Sequence, residues 1–177
     1  MTTVTQTRRP RRAPFRLRGR TRKTVLILHI LSAGIWIGVD VIVAVLVFTG
    51  WLSGDPALKG LAYQALGTFV GWPMLVSGLV SLVTGVILGL GSKYGLVRYW
   101  WVAVKLVLNL VLCALILIAL QPELGDVAQY GRDLAAGTAT GRDVSDLFFP
   151  PIVSLSALTF ATVLSVAKPW GRLRKRG

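Results

Sequence analysis

The sequence predicts an all-α protein, a four-helix transmembrane bundle with both termini in the cytoplasm, and three observations carry that reading. Of 177 residues, 54% are hydrophobic and 15% charged, against about 45–50% and about 25% in a typical soluble domain. The apolar residues gather into four runs, near 24–50, 70–91, 97–120 and 149–167, with charges between and beyond them. Twenty Lys and Arg stand against seven Asp and Glu, a formal +13, and the basic excess falls on alternate connections. A hydrocarbon core about 30 Å thick takes about 20 apolar residues in a helix, which all four runs approach or exceed.

Residues 1–23 hold nine Lys and Arg, two prolines and no acid. So few apolar residues cannot build a core, and this stretch is expected as a disordered basic arm. The run 24–50 would extend about 40 Å as a helix, enough to span with tilt. It is longer than the roughly 7–15-residue apolar region of a signal peptide and ends on Phe48, Trp51 and Leu52 rather than on a small-residue cleavage pattern. An uncleaved anchor is expected. Asp55 and Pro56 mark a turn, and 57–67 reads as a helical lead-in to the second span, where Pro73 opens or kinks the helix near its outer end. Residues 93–98 make a tight connection. The third span is expected to stop at Gln121 and Pro122, since proline removes a helical donor and clashes with the preceding turn. Residues 121–148 then read as one long extracytoplasmic loop, mostly irregular, with a short helix over 127–136 at most. Pro150 and Pro151 suit the first turn of the fourth span, and 169–177 form a basic tail.

Charge sets the orientation. Nine Lys and Arg lie in the arm, two in the second connection and five after the fourth span, while the first and third connections hold only Lys59, Arg132 and Arg142. Positive charge accumulates on the cytoplasmic side, so both termini are expected there, in the cell membrane. Trp51, Trp72, Tyr99, Trp100, Trp101 and Trp170 fall near the expected span ends, as an aromatic belt would. Repeats of small residues every four positions, at Gly34 and Gly38, at Ser77, Ser81, Gly85 and Gly89, and at Ala157, Ala161 and Ser165, suit close helix approach. They serve packing within one bundle or a homodimer face. The basic ends have anionic lipid headgroups as natural partners, each Lys or Arg near such a surface contributing about 1 kcal/mol. They carry no folded recognition element or stacking platform for nucleic acid.

Little catalytic chemistry is encoded. One cysteine, Cys113, one histidine, His29, and two methionines exclude an intrachain disulfide and an ordinary one-chain zinc, copper or bis-histidine haem site. Phosphate-binding GxxxxGK[ST] and nucleophile-elbow GxSxG patterns are absent from the sequence, and no residue is assigned a catalytic or metal-binding role.

Four polar residues inside the runs remain. His29, Ala33, Trp36 and Asp40 fall on one helical stripe. Placing Asp40 mid-span costs about 2.5–3.5 kcal/mol on insertion scales, which the surrounding Val, Ile, Leu and Phe, at about 0.3–0.6 kcal/mol each, outweigh. Asp40 should face the interior. Lys105 has two readings, snorkelling to the cytoplasmic end of its helix or pairing inside the bundle, and Asn109 lies one turn deeper on the same face. Counted from the cytoplasmic side, Asp40 lies about 24 Å and Asn109 about 18 Å deep, which favours Asn109 over Lys105 as the partner of Asp40. His29 lies about 8 Å inside the boundary, as a neutral interhelical hydrogen-bonding group or, alternatively, a b-type haem ligand in a five-coordinate or two-subunit site.

The segments LHILSAGIWIG (28–38), SLVTGVILGLGSKYGLVRYWWVAVKLVLNL (81–110) and ATVLSVAKPWG (161–171), about a third of the chain in all, resemble a family of small four-span actinobacterial integral membrane proteins of uncharacterised activity. More distantly, H-x-x-x-A-x-x-W-x-G over 29–38 is similar to the first helix of CopD-type copper-resistance and haem-linked membrane proteins. That likeness implies a metal or haem role, from which the chain departs by having Ser154 and Ser156, and no histidine, in the fourth span. The leading expectation is a non-enzymatic bundle, a scaffold or accessory subunit. The alternative is haem-linked redox chemistry at His29, or proton or solute transport through Asp40, Lys105 and Asn109.

Overall fold

A computed structural model describes residues 18–91, 96 and 99–167. The arm before residue 18, most of the 93–98 connection, the start of the third span at 97 and the tail at 169–177 lie outside the described residues.

Among the described residues, six α-helices follow in order: α1 (Gly19–Leu52), α2 (Pro56–Phe69), α3 (Gly71–Leu90), α4 (Trp100–Leu115), α5 (Gln121–Ala136) and α6 (Phe149–Ala167). A π-helical turn, Ile116–Leu120, joins α4 to α5, and a 3-10 turn, Ser145–Phe148, leads into α6. Four helical stretches are long and apolar enough to cross a membrane: Gly19–Leu52, Pro56–Leu90, Trp100–Ala136 and Ser145–Ala167. The spans α1, α3, α4 and α6 pack in a closed cycle, each against the next and α6 back on α1. Apolar residues such as Ile27, Ile30, Ile42, Val83, Leu117 and Val163 point outward, as a lipid-facing surface requires.

Helix α1 begins at Gly19 rather than at Thr24, so residues 19–23, expected in the disordered arm, are its first turn and more. The helix continues past the apolar run because Arg20, Arg22 and Lys23 are good helix formers that stay exposed. Asp55 caps α2, its carboxylate accepting from the Ala57 amide at 2.9 Å, with Pro56 in the first turn. This is the expected lead-in helix. Pro73 lies in the first turn of α3, where its missing N–H costs nothing.

The largest departure is the third connection. Gln121–Ala136 is one helix continuing the third span, so most of the expected loop is ordered structure and the irregular stretch is confined to 137–144. Pro122 does not stop the helix because the π turn before it absorbs the defect: the Gln121 amide reaches back five residues to the Ile116 carbonyl. The widened turn accommodates a proline ring that an α-helical turn would reject. In α5, Leu124, Val127, Ala128 and Gly131 are buried at i, i+3, i+4 and i+7, an amphipathic stripe that packs on α2. The seam is tight: a Cβ on Gly60 would lie 2.6 Å from the Gly131 carbonyl, and one on Gly131 would lie 2.6 Å from the Gln64 amide. Gly137 ends α5 at φ 73°, with the Thr138 amide returning to the Asp133 carbonyl at 2.9 Å, a Schellman closure.

The core runs along the bundle axis through Trp36, Val43, Val47, Tyr63, Met74 and Leu112. Among the small-residue repeats, Ser77 and Ser81 are buried between helices and Gly85 meets His29. Gly34 and Gly38 behave differently. Both are exposed, with no atom within 4 Å of an added Cβ, so this pair does not serve packing within the bundle and faces outward, where a homodimer contact would lie.

Candidate functional site

The α1 stripe turns inward as its spacing predicts, with Ser32, Trp36, Asp40, Val43 and Val47 buried. Asp40 and Trp36 are both 0% exposed. Ser154 of α6 donates its hydroxyl to Asp40 Oδ2 at 2.5 Å, joining the first and last helices of the bundle. Asp40 Oδ1 and the indole Nε1 of Trp36, one turn away, have no hydrogen-bond partner among the described residues. The partner of Asp40 among the described residues is thus Ser154, not the expected Asn109. Asn109 accepts instead from the Cys113 thiol, one turn along its own helix, at 3.4 Å.

The signal that pointed to Ser154 was present in the sequence. Ser154 lies about 20 Å from the Ala167 end of α6, close to the depth of about 24 Å counted for Asp40 from Thr24. Without the neighbour order of the helices, nothing ranked α6 above α4 as the source of the partner.

His29 is held by α3. Its Nδ1 lies 3.1 Å from the Ser81 carbonyl and 3.0 Å from Thr84 Oγ1. The Thr84 hydroxyl spends its one proton on the Val80 carbonyl at 2.6 Å, and a carbonyl only accepts. Both contacts therefore require the proton on Nδ1, which donates to α3 and leaves Nε2 with a lone pair in the neutral ring. Gly85 permits the approach, since a Cβ there would lie 3.2 Å from the imidazole Cε1. These contacts account for His29 as an interhelical hydrogen-bonding group; a metal-bound histidine also commonly donates its second nitrogen to a carbonyl.

Lys105 reconciles its two readings. Its Nζ donates to Ser165 Oγ at 2.8 Å and lies 5.0 Å from the centre of the Trp101 ring. Ser165 stands two residues from the end of α6, and Trp101 is in the first turn of α4. The side chain thus runs toward the end of the bundle where snorkelling would take it, and finds an α6 partner there. Ser165 passes its own proton to the Ala161 carbonyl at 2.9 Å, so its oxygen is free to accept.

A cavity of about 510 Å³ opens between α3, the π turn and α6. Met74, Leu112, Ile116, Leu120 and Val153 form its walls, and Ser154, the donor to Asp40, also lines it. Glu123, Arg142, Asp143 and Asp146 line its polar part, with Arg142 paired to Glu123 at 3.2 Å. In the sequence these rim residues read only as the charges of an extracytoplasmic loop, with nothing to place them around a cavity. Among the described residues, no cluster of three or more His, Cys, Asp or Glu has the arrangement to hold a metal ion.

No protein-family model, curated protein or solved structure matches the chain.

Proposed function

We propose that the chain is a non-enzymatic integral protein of the cell membrane, a scaffold or accessory subunit, with both termini cytoplasmic and its basic ends resting on anionic lipid headgroups. One observation carries this reading: three of the polar groups inside the spans, Asp40, His29 and Lys105, tie one helix to another, while Asn109 bonds within its own helix. Ser154 joins α6 to α1 through Asp40, His29 joins α1 to α3, and Lys105 joins α4 to α6. Lipid tails provide no hydrophobic drive for helix association, so polar bonds and close packing must hold a bundle together. Residues spent in this way are architecture rather than reaction chemistry.

Single cysteines placed at Thr5, Thr138 and Arg174 in a Cys113→Ser background test the orientation. A membrane-impermeant maleimide should label position 138 in intact cells and positions 5 and 174 only after permeabilisation; the converse pattern overturns the orientation. Affinity purification from native membranes with mass spectrometry tests the accessory role. A stoichiometric membrane-protein partner is the expected result, and recovery of the chain alone counts against it.

A second reading, transfer of a proton or small solute through Asp40, draws support from the bare Oδ1 and from the adjoining cavity. Its test is flux into liposomes by the wild-type protein and by Asp40→Asn and Lys105→Ala. Equal flux in all three removes this reading.

A further inference from the structure

We propose that the cavity between α3, the π turn and α6 is a binding site for an amphiphilic cation, a molecule with a compact apolar body and one positive charge. This goes beyond the bundle role and requires no transport.

The shape has an identifiable origin. Pro122 follows directly on the π turn at Ile116–Leu120, whose widened geometry accommodates its ring, and π turns of this kind recur at functional sites. Opposite it, the 3-10 turn Ser145–Phe148 and the prolines at 150 and 151 start α6. Two irregular helix segments thus face one another where regular helices would close together, and the space between them is about 510 Å³. That lies within the roughly 300–1,000 Å³ range of small-molecule sites. Ile118 and Phe149, which line the opening, are 77% and 65% exposed. The cavity is therefore reachable from the hydrocarbon layer that covers such side chains.

The chemistry of the lining selects the occupant. The walls are aliphatic, through Leu112, Leu115, Ile116 and Val153, and accept an apolar body. The rim carries Glu123, Asp143 and Asp146 against Arg142 alone. Arg142 is committed to Glu123 at 3.2 Å, which leaves Asp143 and Asp146 and a net charge of −2. An anionic amphiphile meets repulsion there and a neutral one gains nothing from it. A cation with its apolar part in the seam satisfies both regions. Asp143 is oriented for this role, its Oδ1 accepting from the Ser145 amide at 2.9 Å, so the carboxylate is fixed at the rim.

The experiment compares two ions of nearly the same size and shape and opposite charge. The full chain, in a neutral detergent and again in zwitterionic-lipid nanodiscs, is dialysed to equilibrium against tetraphenylphosphonium or tetraphenylborate. Saturable one-to-one binding of the cation is expected, with only unsaturable partitioning of the anion. Asp143→Asn with Asp146→Asn should weaken cation binding at least tenfold while leaving the helical circular dichroism unchanged, because both side chains are exposed. Ala119→Trp, which fills the cavity from the π turn, should abolish saturable binding. Equal binding of the two ions, or cation binding unaltered by the double Asn variant, overturns the proposal. The double variant decides the matter even if Ala119→Trp does not fold.

Discussion

The Asp40–Ser154 bond makes a sharp prediction because, among the described residues, it is the one hydrogen bond to the Asp40 carboxyl, and it joins the first and last helices of the bundle. The perturbation is a double-mutant cycle of Ser154→Ala, Asp40→Leu and the pair. In the wild-type background, removing the hydroxyl strips the donor from a carboxyl that is 0% exposed and already has one bare oxygen. Hydrogen bonds to charged groups contribute about 1.5–3 kcal/mol, while interhelical bonds in membranes average about 0.6 and reach about 1.7 kcal/mol. The burial and short distance of this bond place it near the upper end of the membrane range. In the Asp40→Leu background the serine turns its proton to a carbonyl one turn back, as Ser does in membrane helices, and its loss should be nearly neutral. The coupling energy is therefore expected near 1.5 kcal/mol, close to a tenfold change in the folding equilibrium. Reversible unfolding in mixed detergent–SDS micelles, followed by tryptophan fluorescence, measures it, since buried Trp36 lies one turn from Asp40. A coupling below about 0.5 kcal/mol would show that the bond does not hold α6 to α1 and would refute the reasoning.

Gly131→Ala should destabilise the protein by about 1–2 kcal/mol, an overpacking cost of about 1–3 less a helix-propensity gain of up to about 1 kcal/mol, because its Cβ would meet backbone atoms of α2 at 2.6 Å. Gly38→Ala, with open space around it, should be neutral or stabilising by up to about 1 kcal/mol; the same unfolding assay checks both, and equal effects would contradict the α2–α5 seam. The Ser145 amide and hydroxyl hold Asp143 below the ordinary carboxylate range, so any stability it adds is present above its unfolded pKa and lost as pH falls through the lower folded value. Ser145→Pro should raise the Asp143 titration midpoint, read by carboxyl carbon NMR. If His29 serves only to join α1 to α3, titration with haemin should give no shifted Soret band; a band that vanishes in His29→Ala would instead make His29 a ligand through Nε2, the nitrogen its contacts to α3 do not use.

The spans were legible because length and apolarity are averages over twenty residues, and no single position decides them. The inward face of α1 was legible for the same reason, its buried residues recurring every three or four positions through Trp36 and Asp40. What escaped the sequence turns on single residues or on helix order. Pro122 reads as a stop until the widened turn before it is seen, and reading it so hid α5 and the cavity whose rim Glu123, Asp143 and Asp146 line. Gly60 and Gly131 lie outside the apolar runs, where small residues did not count as a membrane packing signal. Gly34 and Gly38 carried that signal and face outward, because a four-residue spacing fixes a helix face without saying what lies opposite. Ser154 was visible at a depth close to that of Asp40, but depth alone does not name the neighbouring helix.

The position of the cavity follows from where close packing is and is not available. The α1–α3 contact uses Gly78, where an added Cβ would lie 3.1 Å from the Trp36 ring, and Gly85 against His29. The α2–α5 contact uses Gly60, Gly67 and Gly131. At each of these positions the glycines let the helices approach closely. At the seam of α4 and α6 the facing residues of the third span are Leu112, Leu115 and Ile116, too large for close approach. A hydrogen bond from Lys105 to Ser165 joins α4 to α6 near the opposite end, while Ser154 bonds Asp40 on α1. Ser154 ties α6 to α1 at mid-depth and Lys105 ties it to α4 near one terminus, and the cavity opens at the other end of the α4–α6 seam. The bond that closes the bundle is also what keeps the cavity open, so Asp40→Leu, by releasing Ser154, should narrow the cavity and lower its capacity for an apolar cation without touching the rim charges.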